Sequence, residues 1–121
     1  MPRVIHFEIP ADDPERAVKF FQDVFGWTIT KWEGPVEYWL IATGPDDLPG
    51  INGAVMRREG SGGTINTIDV PDVDAYMAKV KQAGGRVVTP RMAVPGVGWF
   101  CYCADTEGNM FGIMQEDPNA K

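Results

Sequence analysis

The strongest constraint on this chain is that its second half repeats its first. Shifted by 59 residues, Ile9 meets Ile68, Asp13 meets Asp72, Phe21 meets Val80, Gly26 meets Gly85, Thr28 meets Val87 and Gly53 meets Gly112. Helix cap, helix core, helix stop and a late-strand glycine recur in one order, as an internal repeat of one supersecondary unit requires. Each half reads as strand, helix, then three strands. A single helix covers one face of such a sheet, so the other face has to be buried by the second half or by another chain. At 121 residues two such modules fill a single domain. The expectation is an α+β fold of two β-α-β-β-β modules, over about residues 3–58 and 64–116, within one domain spanning 1–121.

The local signals are specific. Arg3–Ile9 reads as a strand, and Pro10-Ala11-Asp12-Asp13-Pro14 turns it into a helix. Asp13 suits the N-cap, Pro14 the first helical position, and Glu15 the positive end of the helix dipole. Ala17, Val18, Phe20, Phe21, Val24 and Phe25 recur at helical spacing, and Gly26 suits the C′ position. Trp27–Trp32, Glu37–Thr43 and Ile51–Arg58 follow as strands. A glycine-rich link, Glu59-Gly60-Ser61-Gly62-Gly63, separates the modules. The second then gives a strand at Thr64–Val70, a helix opened by Pro71-Asp72, and strands at Arg86–Thr89, Gly98–Ala104 and Met110–Gln115. Asp105–Asn109 is the last hairpin turn.

Composition excludes several function classes. Seventeen acids against eleven bases leave a charge of −6, the reverse of a nucleic-acid footprint. No apolar run approaches the ~20 residues of a membrane span. His6 and Glu8 interrupt any signal-peptide core at the start. Cys101 and Cys103 sit two apart on a strand, near the far limit of disulfide spacing at about 6.8 Å, and read as reduced, small apolar residues. The expected compartment is the cytoplasm, with no nucleic-acid or membrane partner.

The opening His6-x-Glu8-Ile9, the helix Asp13-x-x-Arg16-Ala17-x-x-Phe20-Phe21 and Phe25-Gly26-Trp27 form one set of motifs. Val70-x-Asp72-Val73-Asp74, Ala83-Gly84-Gly85 and Asp105-x-Glu107-Gly108-Asn109-x-Phe111-Gly112 form its second half. Together, from about Val4 to Gln115, they resemble the vicinal oxygen chelate superfamily, which holds glyoxalase I, bleomycin-resistance proteins and extradiol dioxygenases. The resemblance implies a glyoxalase-like fold in which two modules cup a sheet around a cavity, and a homodimer. It also implies metal-ligand positions at His6, Gly53, Ile65 and Gly112. Only His6 among these has a donor side chain. A Lewis-acid site needs three or more hard ligands, so no metal or other cofactor is expected. The alternative is a divalent metal in a partial His6, Glu8 and Glu116 site.

Glu8 lies two residues beyond His6 and faces the same way on a strand. The expected ligand site comprises His6, Glu8, Trp39, Ile65 and Trp99. Ile65 is the repeat partner of His6, and Trp39 and Trp99 match across the repeat with a one-residue slip. Aromatics at the mouth of a β cavity clamp flat or apolar ligands. Function is read as binding of a small organic ligand, as in the bleomycin-resistance branch. The alternative is a glyoxalase-like lyase, isomerase or dioxygenase-type enzyme in which His6 and Glu8 act as acid and base or hold a partial metal site.

Overall fold

The computed structural model describes residues 2–60 and 62–121. The contacts divide the chain into two compact units, His6–Thr64 and the chain up to Ile5 joined to Ile65–Lys121. In the first, β1 (Val4–Ala11), which enters the unit at His6, leads to α1 (Pro14–Phe25), then β2 (Thr28–Lys31), β3 (Tyr38–Ala42) and β4 (Asn52–Arg57). The strand order is β2-β3-β4-β1. β4 runs parallel to β1 and antiparallel to β3. The helix begins where the sequence places it. Asp13 is extended, and its carboxylate accepts from Arg16 N–H at 3.2 Å. Gly26 takes φ 70°, and its N–H donates to the Gln22 carbonyl at 3.0 Å, closing the helix in the left-handed conformation that glycine adopts without strain.

Alternation along β1 divides its side chains. Phe7, Ile9 and Ala11 join the core under α1, with Trp39, Ile41, Val55, Ala17 and Val18. His6, Glu8 and Pro10 take the opposite face. The helix is less buried than its apolar spacing predicts. Ala17 and Val18 pack on the sheet, while Phe20, Val24 and Phe25 stay more than half exposed. Phe21 instead stacks on Trp27, with centroids 5.2 Å apart and rings 10° from parallel. The larger apolar area of α1 therefore lies beside its own sheet rather than under it.

The second unit repeats the plan with β5 (Ile65–Asp69), α2 (Val73–Gln82), β6 (Arg86–Val87), β7 (Met92–Val94), β8 (Gly98–Ala104) and β9 (Met110–Glu116). Its order is β5-β9-β8-β6, with β7 also against β8. Asp72 caps α2 by accepting from Ala75 N–H at 3.1 Å. Val70, Val73, Cys101, Cys103 and Ile113 form its core. The three-residue β7 is an addition to the expected order, too short for a periodic pattern to reveal. No helix among the described residues is long and apolar enough to cross a membrane.

Strand pairing corrects the register of the repeat. Glu8 pairs with Ala54, while its counterpart Thr67 pairs with Gly112. The offset thus falls from 59 to 58 residues at the last strand of each module, and Gly53 does not match Gly112. In β3, Leu40 pairs with Ala54; in β8, Tyr102 pairs with Gly112. The offset there is 62, so Tyr38 corresponds to Phe100 and Trp39 to Cys101. The expected match of Trp39 with Trp99 does not hold, because loops of unequal length separate the strands.

Candidate functional site

The face of the first unit's sheet away from α1 carries Glu8, His6, Thr30 and Asn52. Across it, Thr30 pairs with Leu40, Leu40 with Ala54, and Ala54 with Glu8. His6 lies one step along, opposite Asn52. Between them is an open groove of about 380 Å³, lined by His6, Thr28, Thr30, Leu40 and Asn52 among others. Beside it, the Tyr38 hydroxyl donates to Glu8 Oε2 at 2.7 Å and lies 2.8 Å from His6 Nε2. The imidazole and phenol planes are nearly parallel, at 14°. Trp32 meets the Tyr38 ring edge-on. Glu8 is buried, at 6% exposure, so its partners matter: an ionised carboxylate away from water is tolerated when hydrogen-bonded. Burial lowers the His6 pKa below its ordinary 6.5, and the neighbouring charge of Glu8 opposes part of that shift.

Of the five residues expected here, the structure brings His6 and Glu8 together on one face. Trp39 is not with them. It is 7% exposed within the core under α1, on the other side of the sheet, because neighbours on a strand point to opposite faces. Trp99 likewise packs against the core of the second unit. Its indole N–H donates to Asp117 Oδ2 at 3.0 Å, and the Arg91 guanidinium sits 4.5 Å above its ring. These contacts make each tryptophan a packing residue. Ile65 opens β5, half-buried, on the same face as Thr67. On that face Phe100 packs edge-on against Tyr102, with centroids 4.7 Å apart. Tyr38 is the residue that sequence reasoning missed. A hydroxyl-bearing aromatic beside a tryptophan was a signal, but only the pairing of β3 with β4 shows which of the two faces His6.

The implied metal positions do not fit a metal. Gly53 lies opposite Phe7 on the helix side, where a side chain would collide with the Phe7 carbonyl and ring. Gly112 is covered by the Phe100 ring. Ile65 offers no donor. Asn52, which shares the His6 face, already accepts from Thr43 N–H at 3.0 Å through its Oδ1. Among the described residues no three His, Cys, Asp or Glu side chains gather to hold an ion.

Paired β-α-β-β-β modules, with ionisable side chains on the sheet face away from the helix, define the class of vicinal oxygen chelate proteins. The comparisons agree. A family model described as bleomycin resistance protein-like N-terminal matches residues 3–44. A glyoxylase-like domain-containing protein of Didymella fabae is 35% identical over 115 residues, covering 88% of each chain. A putative glyoxylase, CFP32, of Mycobacterium bovis is 27% identical over 113 residues, and the chain spans 43% of that protein's length. Among solved structures, a methylmalonyl-CoA epimerase in complex with methylmalonyl-CoA has a TM-score of 0.72 at 16% identity, covering 100% of this chain and 99% of that one. The Streptomyces coelicolor methylmalonyl-CoA epimerase gives 0.70 at 18%, covering 98% and 97%; at such identities these two speak to fold. The chain belongs to the vicinal oxygen chelate superfamily, on its glyoxalase-like side, and its likeness to the bleomycin-resistance proteins is carried by residues 3–44.

Proposed function

We infer that this chain binds a small organic molecule on the His6–Glu8 face of its first module, without the divalent ion used by metal enzymes of the superfamily. The observation that carries the reading is the donor set. With the corrected register, Ala54 takes the place expected of Gly53, so alanine, isoleucine and glycine stand at three of the four implied ligand positions, and the remaining histidine is engaged by Tyr38. The groove beside it combines hydroxyls of Thr28 and Thr30 with the apolar Leu40, a lining suited to a ligand with a polar head and an apolar body. No cofactor is needed for such binding. The protein works as a homodimer in the cytoplasm on this reading. The exposed Phe20, Val24 and Phe25 supply apolar area for association, and the two unbridged, buried cysteines suit a reducing compartment.

The test is a fragment-library titration of chelator-treated protein, followed by amide NMR shifts. Hits that move Thr28, Thr30, Leu40 and Asn52 without added metal support the reading. Hits that appear only once Mg, Mn, Ni or Zn is restored overturn it. A second reading has one observation in its favour: the continuous His6–Tyr38–Glu8 contact is also a path for a proton. Conversion of a 2-oxoaldehyde thiohemiacetal by the chelator-treated protein, abolished in His6→Ala, would establish that reading. No turnover in the wild type removes it.

A further inference from the structure

With Glu8 as a carboxylate, the contact between His6, Tyr38 and Glu8 has one arrangement of protons that satisfies all three groups. A carboxylate only accepts. The Tyr38 hydroxyl carries a single proton and gives it to Glu8 Oε2 at 2.7 Å. The same oxygen lies 2.8 Å from His6 Nε2. With its own proton committed, it can only accept there, so Nε2 must carry the hydrogen. At about pH 7.5 an imidazole of ordinary pKa is already mostly neutral, and a neutral ring has one N–H. Nδ1 is then left with its lone pair. The ring is only half-buried, and among the described residues no buried side-chain nitrogen lacks a partner. Nδ1 is therefore not sealed away, and His6 itself lines the groove.

Among the described residues no Lys or Arg lines the groove, and the chain as a whole carries −6. We propose that Tyr38 locks His6 as its Nε2–H tautomer, so that the Nδ1 lone pair faces the groove as an acceptor and selects ligands bearing an N–H donor, above all an ammonium group, over carboxylates. Tyr38 is thus a positioning residue, and His6 the contact that sets specificity. A carboxylate at Nδ1 would meet a lone pair with a lone pair, and no Lys or Arg among the described groove residues would draw it in. A primary amine supplies the missing proton and gains from the surrounding negative field. This assignment of ligand class rests on the binding reading above; the tautomer does not.

The chain has one histidine, so its ring nitrogens can be read without ambiguity in protein labelled with 15N-histidine. Long-range 1H–15N correlation at about pH 7.5 should show the Nε2–H form as dominant. Tyr38→Phe removes the acceptor, and Glu8→Gln removes the group that only accepts. Each variant should raise the Nδ1–H population by about threefold or more. A wild type dominated by Nδ1–H, or two folded variants with an unchanged tautomer, overturns the lock whether or not any ligand binds. Benzylamine and benzoate then share a ring and differ in charge. Benzylammonium should move the His6 Nδ1 resonance and bind at least about tenfold more tightly than benzoate. Benzoate binding equally well, or benzylamine binding that leaves Nδ1 unmoved, overturns the ligand class while the tautomer result stands alone.

Discussion

Replacing Tyr38 by Phe deletes one oxygen and leaves the ring, so the expected loss can be built from hydrogen bonds alone. The hydroxyl donates to Glu8, which is 6% exposed, and contacts the His6 ring, which is half-buried. A hydrogen bond to a charged group contributes about 1.5–3 kcal/mol, and a neutral one about 1 kcal/mol. Water can reach His6 after the change, which returns part of its share, so the net cost should be about 2–3 kcal/mol. For a chain of this length each kcal/mol moves the melting midpoint by roughly 4 °C, giving a fall of about 8–12 °C. That is within the roughly 5–15 kcal/mol stability of an ordinary domain, so the variant should still fold at room temperature. Urea denaturation of wild type, Tyr38→Phe, Glu8→Gln and the double variant supplies a full cycle. A coupling of at least about 1 kcal/mol between Tyr38 and Glu8 is expected, because Tyr38→Phe removes the donor and Glu8→Gln leaves only a neutral acceptor, so either change removes the charge-assisted part of the same bond. A single-variant loss below about 0.5 kcal/mol with no coupling would refute the reasoning, since the bond would then be no stronger than a solvated surface contact.

Three further outcomes are expected. Burial lowers the His6 pKa, so the unfolded chain binds that proton more tightly than the folded one; stability should be intact above about pH 6.5 and fall as the pH drops from there toward the folded pKa. His6→Gln should flatten that part of the pH–stability curve, and an identical slope in the variant refutes the assignment. Desolvation, with the neighbouring Cys103, pushes the Cys101 thiol up to about 12; both cysteines should resist a disulfide reagent in native protein and react on unfolding, while fast native labelling contradicts their burial. Light scattering at micromolar concentration should give twice the 13.3 kDa chain mass, and a monomer mass would reject the dimer.

The elements most legible in the sequence are those held by their nearest neighbours along the chain. Asp13 and Asp72 cap helices by accepting from N–H groups three residues on. Asp105 orders the last hairpin turn by accepting from Glu107 and Asn109 N–H at 2.8 and 2.9 Å. Glycine alone suits the φ of Gly26 without strain. His6 and Glu8 share a face because a strand repeats every two residues, and β1 is patterned clearly enough to show it. The contribution of β3 to the site was not legible in the same way. Tyr38, Trp39, Leu40, Ile41 and Ala42 form an apolar run with no polar alternation, so two assignments of its faces satisfy the sequence equally. The choice falls to pairing: Trp39 opposite Val55 enters the core under α1, and Tyr38 is thereby turned toward His6 and Glu8. Sliding β3 by one residue would exchange the two aromatics. Hydrogen bonds made by neighbours in sequence can be read from a sequence; the face of a uniformly apolar strand is decided by the strand beside it, and here that decision supplied the hydroxyl that organises the site.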